Sequence, residues 1–484
     1  MTIRRVFLGL LVLLLALAAL RVANLLAHQP LLALANSFDQ ARYTGCFDLY
    51  PDRAAPIRPD ENSPQAPFEY YRYQQNPVAL CYASSELLFQ AAANGIYHLE
   101  ETAASTTRHS VRWIGALRGL AWLLLGIVLC RAWWRRGLPQ AALANALLFA
   151  ALLADPANTL YFNTYYAEPT ALMAAWLCFN VCLLQWEEQA SAAAALLLAA
   201  AGFLLATSKI QHLLLPIMLS TTLLLFGFIH KRTWHWTGKA LLVGATLGAL
   251  LQFSQLGRTD PMMLAIRSFN RADVIFTGLL PAVDNPSATL QRLGVSGECA
   301  VHAGKAAWQL PGLAEDICPG IEKLGRLDLL LAFAREPESL LRFATAGVMA
   351  LDPWLPRNLG HVEGTIMGAL PASFFSLSRP LAAHAWLRYS VFALPLLGSL
   401  LVLLRRQRGR FALYTLMTGV LMLATFGITL LGDGLADVAK QGHLIFNASL
   451  AWSLVAALGL LIALGGRIAR RGEPAPAHAH GGKK

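Results

Sequence analysis

Acidic, basic and amide side chains gather in four short stretches, each beside a long apolar segment. The stretches hold Asp39 and Arg42; Asn163, Tyr165, Tyr166 and Glu168; Ser208, Lys209, Gln211 and His212; and Asp433, Asp437, Lys440, Gln441, His443 and Asn447. A carboxylate can take the proton of an acceptor hydroxyl as a general base. Lysine and arginine can hold a phosphate leaving group and stabilise the charge that it gains. The stretches therefore predict group transfer from a lipid phosphate, with Arg267 and Arg271 as further candidate phosphate ligands.

Each acid or cation in the first three stretches also has a purely structural interpretation. Asp39 and Arg42 could form a surface ion pair of little energetic value. Glu168 precedes Pro169 and could simply begin a helix, where an acid complements the helix dipole. Lys209 could extend towards lipid headgroups. These interpretations stay open, because a carboxylate that begins a helix can also take part in chemistry.

The remaining candidates have structural alternatives as well. His443 and Asn447 are four residues apart on one helical face and could be ordinary interhelical hydrogen-bonding residues. Asp433 lies between two glycines and could belong to a turn, and the arginines at 267 and 271 could belong to a solvated loop. The recurrence of acids and cations at one predicted membrane edge favours a shared site.

The apolar segments that must position these residues dominate the chain. Of 484 residues, 56% are hydrophobic and 14% are charged, against about 25% charged residues in soluble domains. Apolar runs long enough to span a bilayer fall at about 6–25, 113–131, 141–158, 169–186, 190–207, 211–229, 237–255, 388–404, 411–431 and 443–466. The sequence predicts an all-α polytopic membrane protein with about ten transmembrane helices. The first run is predicted to be a retained anchor, since no clear cleavage site follows it.

The basic residues predict the orientation of the chain. Placing the N-terminus in the cytoplasm assigns seventeen basic residues to the inner side and only Lys209 and Lys440 to the three short outer loops. This bias fits the positive-inside rule. Both termini are then cytoplasmic, the four polar stretches face outwards, and the net charge of +11 is a topology signal rather than a nucleic-acid signal.

Two long outer loops, 26–112 and 256–387, divide the chain. The sequence predicts a module at 1–255, a second-loop region at 256–387, transmembrane helices at 388–466 and a disordered tail at 467–484. Residues 31–35 are predicted to lie on the membrane surface and 83–99 to form an amphipathic helix. Apolar pieces at 328–335 and 341–351 are too short to span and fit interfacial helices.

The seven cysteines agree with this layout. Cys46 and Cys81 share the first outer loop, and Cys299 and Cys318 share the second. The outer side is an oxidising compartment, so two disulfides within loops are plausible. Cys130, Cys178 and Cys182 fall inside spans, where a thiol behaves as a small apolar group. No cysteine spacing resembles a zinc site.

The polar stretches also resemble a known family. Asn36-Ser-Phe-Asp39-Gln-Ala-Arg42 and Phe162-Asn-Thr-Tyr-Tyr-Ala-Glu168-Pro169 resemble the first-loop and second-loop acidic motifs of bacterial members of the GT-C superfamily. Thr207-Ser-Lys209-Ile-Gln211 and the segment from Gly432 to Asn447 resemble later patches of the same proteins. These integral-membrane glycosyltransferases use polyprenyl-phosphate-linked sugars, and the group most similar to this chain comprises bacterial hexose transferases that build cell-surface glycans.

The resemblance implies an inverting sugar transfer at the periplasmic face of the bacterial inner membrane. It implies that Asp39 is the base and that Glu168 assists the acceptor or the donor. Arg42, Asn163, Tyr166, Lys209, Gln211, Arg271, Lys440, His443 and Asn447 are then candidate substrate-binding residues. Some relatives carry two acids in the first loop, whereas Phe38 precedes Asp39 here, so a divalent metal remains an open possibility and no other cofactor is expected.

The leading hypothesis is therefore a glycosyltransferase in contact with membrane lipid, with a glycan, lipid or protein as acceptor. One alternative is a membrane ligase or polymerase that joins whole glycans, in which Arg267 and Arg271 would matter more than Asp39. Another is a transporter or flippase for a lipid-linked sugar, which predicts charged residues within the spans and two related halves. The span centres read as almost wholly apolar and no internal repeat is visible, which counts against transport.

Overall fold

The computed structural model of the chain describes residues 2–34, 37–52, 68–74, 81–186, 191–230, 236–351, 359–361 and 370–471. Helices make up most of this part of the chain: α1 Thr2–Ala27, α2 Ser37–Thr44, α3 Leu87–Ala104, α4 Arg112–Arg135, α5 Pro139–Leu148, α6 Pro156–Thr159, α7 Glu168–Leu184, α8 Ala192–Ser208, α9 Leu215–Ile229, α10 Trp236–Leu256, α11 Pro261–Asp273, α12 Leu280–Ala282, α13 Pro286–Arg292, α14 Ala314–Ile317, α15 Arg326–Arg335, α16 Pro337–Ala350, α17 Ser378–Ala383, α18 Ala385–Leu404, α19 Arg410–Asp433, α20 Val438–Gln441 and α21 His443–Arg471. Five short strands accompany them: β1 Leu32–Leu34, β2 Leu49–Pro51, β3 Tyr70–Tyr73, β4 His109–Ser110 and β5 Leu359–His361.

Every apolar run singled out in the sequence contains helix. Seven helices of the described chain are long and apolar enough to cross a membrane, and three shorter apolar helices lie at Pro139–Leu153, Glu168–Leu184 and Ala192–Ser208. The all-α polytopic fold is therefore confirmed. The span predicted at 141–158 is wrong at its end, because α5 widens into a π-helical turn at Phe149–Leu153 and Asp155 then begins α6.

The long helices pack into one bundle around an apolar core. That core combines Trp122, Leu205 and Met417 and so draws on helices before and after the second long loop. Helices α8 and α10 pack closely against each other at Gly244 of α10. A Cβ on Gly244 would lie 1.7 Å from the carbonyl oxygen of Ala199, so no larger residue fits there. Such small-residue contacts let membrane helices pack closely.

The first long loop folds against the end of the bundle that carries Asp39 and Glu168, called the site end below. Strands β2, β3 and β4 form an antiparallel sheet, and α3 confirms the helix predicted at 83–99. Residues 31–35 are predicted to lie on the membrane surface, but Leu31, Leu32 and Ala33 are buried inside the protein, and residue 35 lies outside the described residues. Leu32–Leu34 instead pairs antiparallel with Leu359–His361 of the second long loop, a partner that no local pattern reveals.

The second long loop contains α11 to α17 and joins the bundle again at α18. The two predicted interfacial segments are helical, as α15 and α16, and both expose leucines such as Leu330 and Leu341. Their placement at a membrane surface stays a prediction, as does the division of the chain into four regions. Helix α21 runs to Arg471, and the rest of the predicted disordered tail, 472–484, lies outside the described residues.

Both predicted disulfides are formed. Cys46 is bonded to Cys81 and Cys299 to Cys318, while Cys130, Cys178 and Cys182 are free and buried. The first disulfide ties the turn after α2 to the segment that leads into α3. Next to it, the Tyr82 amide donates to the Arg42 carbonyl at 2.8 Å. Together these bonds fix α2, and with it Asp39, on the site end.

Removing the first disulfide should loosen α2. The bond closes a loop of 35 residues, for which chain entropy gives roughly 3–4 kcal/mol of stabilisation. We expect a Cys46→Ala, Cys81→Ala variant to show faster proteolysis of the first long loop in membranes. The matched variant Cys299→Ala, Cys318→Ala should leave that loop as resistant as in the wild type. Equal proteolysis of the first loop in all three proteins would contradict this role.

Candidate functional site

Asp39 is held by two cations. It lies in the first turn of α2, and Arg42, one turn later on the same face, donates to its Oδ1. Its Oδ2 accepts from Lys440 Nζ at 2.6 Å, across a sequence separation of 401 residues. The acid of the first stretch and the lysine of the fourth therefore meet, as a shared site requires.

Lys440 connects two carboxylates. Besides Asp39, its Nζ lies 2.5 Å from Asp437 Oδ2, one turn earlier. The same nitrogen lies 5.7 Å from the centroid of the Tyr166 ring, within cation–π range. Burial disfavours the charge of Lys440, but Asp437 and the nearby Tyr166 and Glu168 outweigh it and raise the pKa of the lysine above its ordinary value. Lys440 is therefore a permanent cation in the site.

Glu168 is almost completely buried at the start of α7, where its side chain is 1% exposed. Its position beside Pro169 in the first helical turn agrees with the helix-start interpretation. Its Oε1 also accepts from Lys209 Nζ. Its Oε2 has no hydrogen-bond partner among the described residues. One carboxylate oxygen thus stabilises a cation, while the other remains open for a further contact.

Lys209 has an extended backbone conformation and lies between α8 and the short turn Ile210–His212. Burial lowers its pKa against the opposing effect of Glu168, and the positive charges of Lys440 and Arg42 lower it further. The second, third and fourth stretches therefore lie within electrostatic range of one another and of Arg42. We call Asp39, Arg42, Glu168, Lys209, Asp437 and Lys440 the charge cluster; it contains three acids and three cations.

The turn that precedes α20, the helix of Lys440, is fixed by a close backbone contact. Gly434 has a φ of +61°, and a Cβ there would lie 2.4 Å from the carbonyl oxygen of Asp273 in α11. Asp433, just before this glycine, accepts from Gln441 Nε2 at 3.3 Å. Burial and the Asp433 and Asp437 carboxylates raise the pKa of Asp273 above its ordinary value. The turn interpretation of Asp433 is thus compatible with a position next to the charge cluster.

Four other predicted site residues differ from one another in their surroundings. His443 begins α21 and lines a small pocket with Glu168. Asn447 forms a reciprocal amide pair with Asn158, at 2.8 and 2.9 Å, and so joins α21 to α6. Tyr166 lies against Lys440 as described, whereas Gln211 is half-buried in the turn after α8. For Asn447 the observed contact matches the interhelical interpretation.

Two predicted residues lie away from the charge cluster. Asn163 donates to the Leu26 carbonyl at 3.2 Å and fills the space beside Gly115, so it joins α1 to α4. Arg271 pairs with Glu315 at 3.0 Å inside the second long loop. Their assignment to substrate stays a prediction. Among the described residues, no group of three or more His, Cys, Asp or Glu side chains could hold a metal ion.

Arg118 and Glu86 form a buried ion pair that was not predicted from the sequence. Arg118 is fully buried within α4 and donates to Glu86 Oε1 and to the carbonyls of Tyr161, Phe162, Thr164 and Tyr166. Glu86 also accepts from Thr170 at 2.6 Å. This ion pair shapes the loop that presents Glu168. A charged residue within a predicted span was the available signal.

A second missed ion pair secures the second long loop. Asp155, fully buried, lies 3.5 Å from Arg21 of α1 and accepts from the Ser376 hydroxyl at 2.6 Å and the Leu377 amide at 2.9 Å. It also begins α6 by accepting from the Ala157 amide. Arg21 and Arg118 lie inside the predicted spans 6–25 and 113–131 but near the ends that meet the long loop, so the span centres remain almost wholly apolar.

A large apolar cavity lies within the bundle. It has a volume of about 580 Å³ and is formed by the end of α4 with α5, α7, α19 and α21. One side is lined by Leu172, Leu444 and Asn447, within a few residues of Glu168 and His443. The other side is lined by residues such as Pro139 and Arg410, at the opposite ends of the helices. An elongated apolar ligand could therefore lie along the helices with one end near the charge cluster.

Comparison with known proteins gives one finding. No curated protein and no solved structure matches the chain. One protein family does match, described as the YfdI N-terminal transmembrane domain, over residues 2–471. The matched region includes every residue of the charge cluster and all the apolar helices. The chain therefore belongs to the family of the YfdI N-terminal transmembrane domain.

Proposed function

We propose that the protein is a membrane glycosyltransferase that moves a sugar from a polyprenyl-phosphate-linked donor to an acceptor hydroxyl. The observation that carries the proposal is the ion pair between Asp39 and Lys440, at 2.6 Å, inside a cluster of three acids and three cations. Membership of the YfdI family suggests a membrane glycosyltransferase-like protein. The resemblance to GT-C transferases supports the same class of reaction.

In the proposed reaction Asp39 removes the proton of the acceptor hydroxyl. The acceptor oxygen forms a bond to the anomeric carbon as the bond from that carbon to the phosphate oxygen breaks. The bonding electron pair leaves with the phosphate, and the configuration at the anomeric carbon is inverted. The donor phosphodiester carries one negative charge and the released polyprenyl phosphate carries up to two. Lys440, Arg42 and Lys209 therefore stabilise the leaving group more strongly than the donor, which is the differential binding that accelerates a reaction.

Asp39 must exchange partners before it can act as a base. Both of its oxygens are engaged by cations in the resting protein, and a carboxylate so held is a weak proton acceptor. A donor phosphate would compete for Lys440 and Arg42. Its binding would release Asp39 towards the acceptor, so that the base becomes active only when the donor is in place.

The apolar cavity supports a lipid-linked donor. Its volume of about 580 Å³ falls in the range of roughly 300–1,000 Å³ that is usual for ligand sites. A prenyl chain in this cavity would leave its phosphate near His443 and the cations at the site end. With the orientation expected from the basic residues, the site end faces the periplasm, both termini are cytoplasmic, and the acceptor is a glycan, lipid or protein.

The proposal is tested by sugar transfer in membrane vesicles. Vesicles that contain the wild-type protein should transfer labelled hexose from a polyprenyl phosphate hexose and release polyprenyl phosphate in equal amount. Vesicles from cells without the protein serve as the control. Movement of the intact donor across the bilayer with no sugar–phosphate cleavage would overturn the proposal.

Lys440 offers a specific prediction. We expect Lys440→Met to raise the KM for the donor about 10- to 100-fold, because a hydrogen bond to a charged group contributes about 1.5–3 kcal/mol. Steady-state kinetics with varied donor measure this change. Lys323→Met, on the exposed surface of the second long loop, is the matched control. A KM within twofold of the wild-type value in the Lys440 variant would argue against phosphate binding there.

A lipid-linked-sugar flippase is the second candidate. The observation in its favour is the presence of Arg21, Arg118 and Asp155 in or beside membrane helices. In the structure, however, Arg118 and Asp155 make several hydrogen bonds that fix loops at the site end. The vesicle experiment separates the two candidates, because a flippase moves the donor without consuming it.

A further inference from the structure

Four buried polar atoms without a hydrogen-bond partner line one small pocket of the described chain. They are Trp122 Nε1, the Tyr161 hydroxyl, Glu168 Oε2 and His443 Nε2. The four residues are between 0% and 2% exposed. We call the space between them, with Phe162 as a further wall, the aromatic pocket. It lies beside the charge cluster, because Glu168 belongs to both.

Unpaired polar atoms are costly inside a protein. Each one loses about 1–3 kcal/mol of hydration without compensation, and roughly nine in ten buried polar groups in native structures have a partner. Four such atoms around one pocket therefore favour a ligand that supplies the missing hydrogen bonds. The empty space between these side chains is about 170 Å³, but it is so narrow that no water molecule fits into it in this conformation. A ligand enters only when the side chains move apart.

The donor and acceptor pattern defines the ligand. The Trp122 nitrogen can only donate, the Glu168 carboxylate can only accept, and Tyr161 and His443 can do either. A hydroxyl both donates and accepts, so it matches this set, whereas an anion would be repelled by Glu168. Trp122 and Phe162, whose rings are 5.5 Å apart at 83°, add apolar surface for the carbon–hydrogen face of a sugar ring.

We propose that the aromatic pocket binds a hydroxyl-bearing edge of the transferred sugar, and that Trp122 and Tyr161 help to decide which sugar is accepted. The inference rests on the proposed function and adds the residues that determine specificity. Binding of the sugar hydroxyl would break no contact of the charge cluster. Glu168 Oε1 can keep its hydrogen bond from Lys209 while Oε2 accepts a hydrogen bond from the sugar.

The test uses membrane vesicles and polyprenyl phosphate glucose, galactose and mannose, each with its monodeoxy analogues. Tyr161→Phe keeps the ring and removes only its hydroxyl, and Trp122→Phe keeps an aromatic ring but removes the indole nitrogen together with part of the ring system. We expect each to lower kcat/KM for the best natural donor about 10- to 100-fold. For the one deoxy analogue that lacks the recognised hydroxyl, the variants and the wild type should have equal kcat/KM. Tyr50→Phe, an equally buried change in β2, is the control.

A second readout does not depend on activity. Without donor, Tyr161→Phe removes an unpaired polar atom, so its thermal unfolding midpoint should equal or exceed that of the wild type. A lower midpoint would mean that the hydroxyl has a structural partner, and would overturn the inference. So would equal losses with every deoxy analogue. Absence of transfer by the wild-type protein with all donors would instead overturn the proposed function, and the inference with it.

Discussion

Replacing Asp39 by asparagine is expected to lower kcat for sugar transfer by about 100- to 10,000-fold, the range that a general base contributes. Asparagine keeps the size of the side chain but cannot accept the proton of the acceptor hydroxyl. The KM for the donor should stay the same or fall, because the substitution releases Arg42 and Lys440 from the carboxylate that now engages them. A residue that only stabilises the fold would not separate kcat from KM in this way.

Asp48→Asn provides the matched control for this experiment. Asp48 lies in the same loop, is exposed, and has a φ of 51°, a left-handed conformation that asparagine adopts readily. Its variant should transfer sugar at the wild-type rate. Transfer by Asp39→Asn within threefold of the wild-type rate, in protein that is normally folded in the membrane, would remove Asp39 from the mechanism. Glu168 would then be the next carboxylate to test.

The membrane architecture could be predicted because it depends on local composition. An apolar run of about 20 residues must form helix in a bilayer, since its backbone groups have no other hydrogen-bond partners. Each of the ten predicted runs accordingly contains helix. The ends of the helices were predicted less accurately. The run at 141–158 ends early because Asp155 is drawn into bonds with Ser376 and Leu377, more than 200 residues away in sequence.

The members of the charge cluster could be named from the sequence, but their contacts could not. Asp39 and Lys440 are 401 residues apart, and only the packing of the bundle brings α2 beside α20. Asn447 is a similar case, since its position four residues after His443 suggested an interhelical hydrogen bond but could not identify Asn158 as the partner. Trp122 and Tyr161, which we propose to contact the sugar, were not singled out from the sequence because an aromatic residue near a membrane helix usually serves packing.

The ion pair between Arg118 and Glu86 should have the largest effect on stability. Arg118→Ala would leave the Glu86 carboxylate buried with Thr170 as its remaining side-chain partner, and breaking a buried pair costs about 3–5 kcal/mol. The carbonyls of the loop that presents Glu168 would lose their donor as well. We expect a marked drop in the unfolding midpoint in detergent and loss of sugar transfer. Arg131→Ala, at an exposed position of the same helix, should change neither.

Two companion variants separate the charge pair from the loop that it shapes. Arg118→Lys should remain unstable, because a lysine has three donors and cannot reproduce the planar fork of arginine. The double variant Arg118→Leu, Glu86→Gln removes both charges, so stability should recover in part. Transfer should not recover, since the carbonyls of Tyr161, Phe162, Thr164 and Tyr166 still lack the guanidinium that orients them. Recovery of both would show that Arg118 only neutralises Glu86, whereas recovery of stability alone would show that it also positions Glu168 for catalysis.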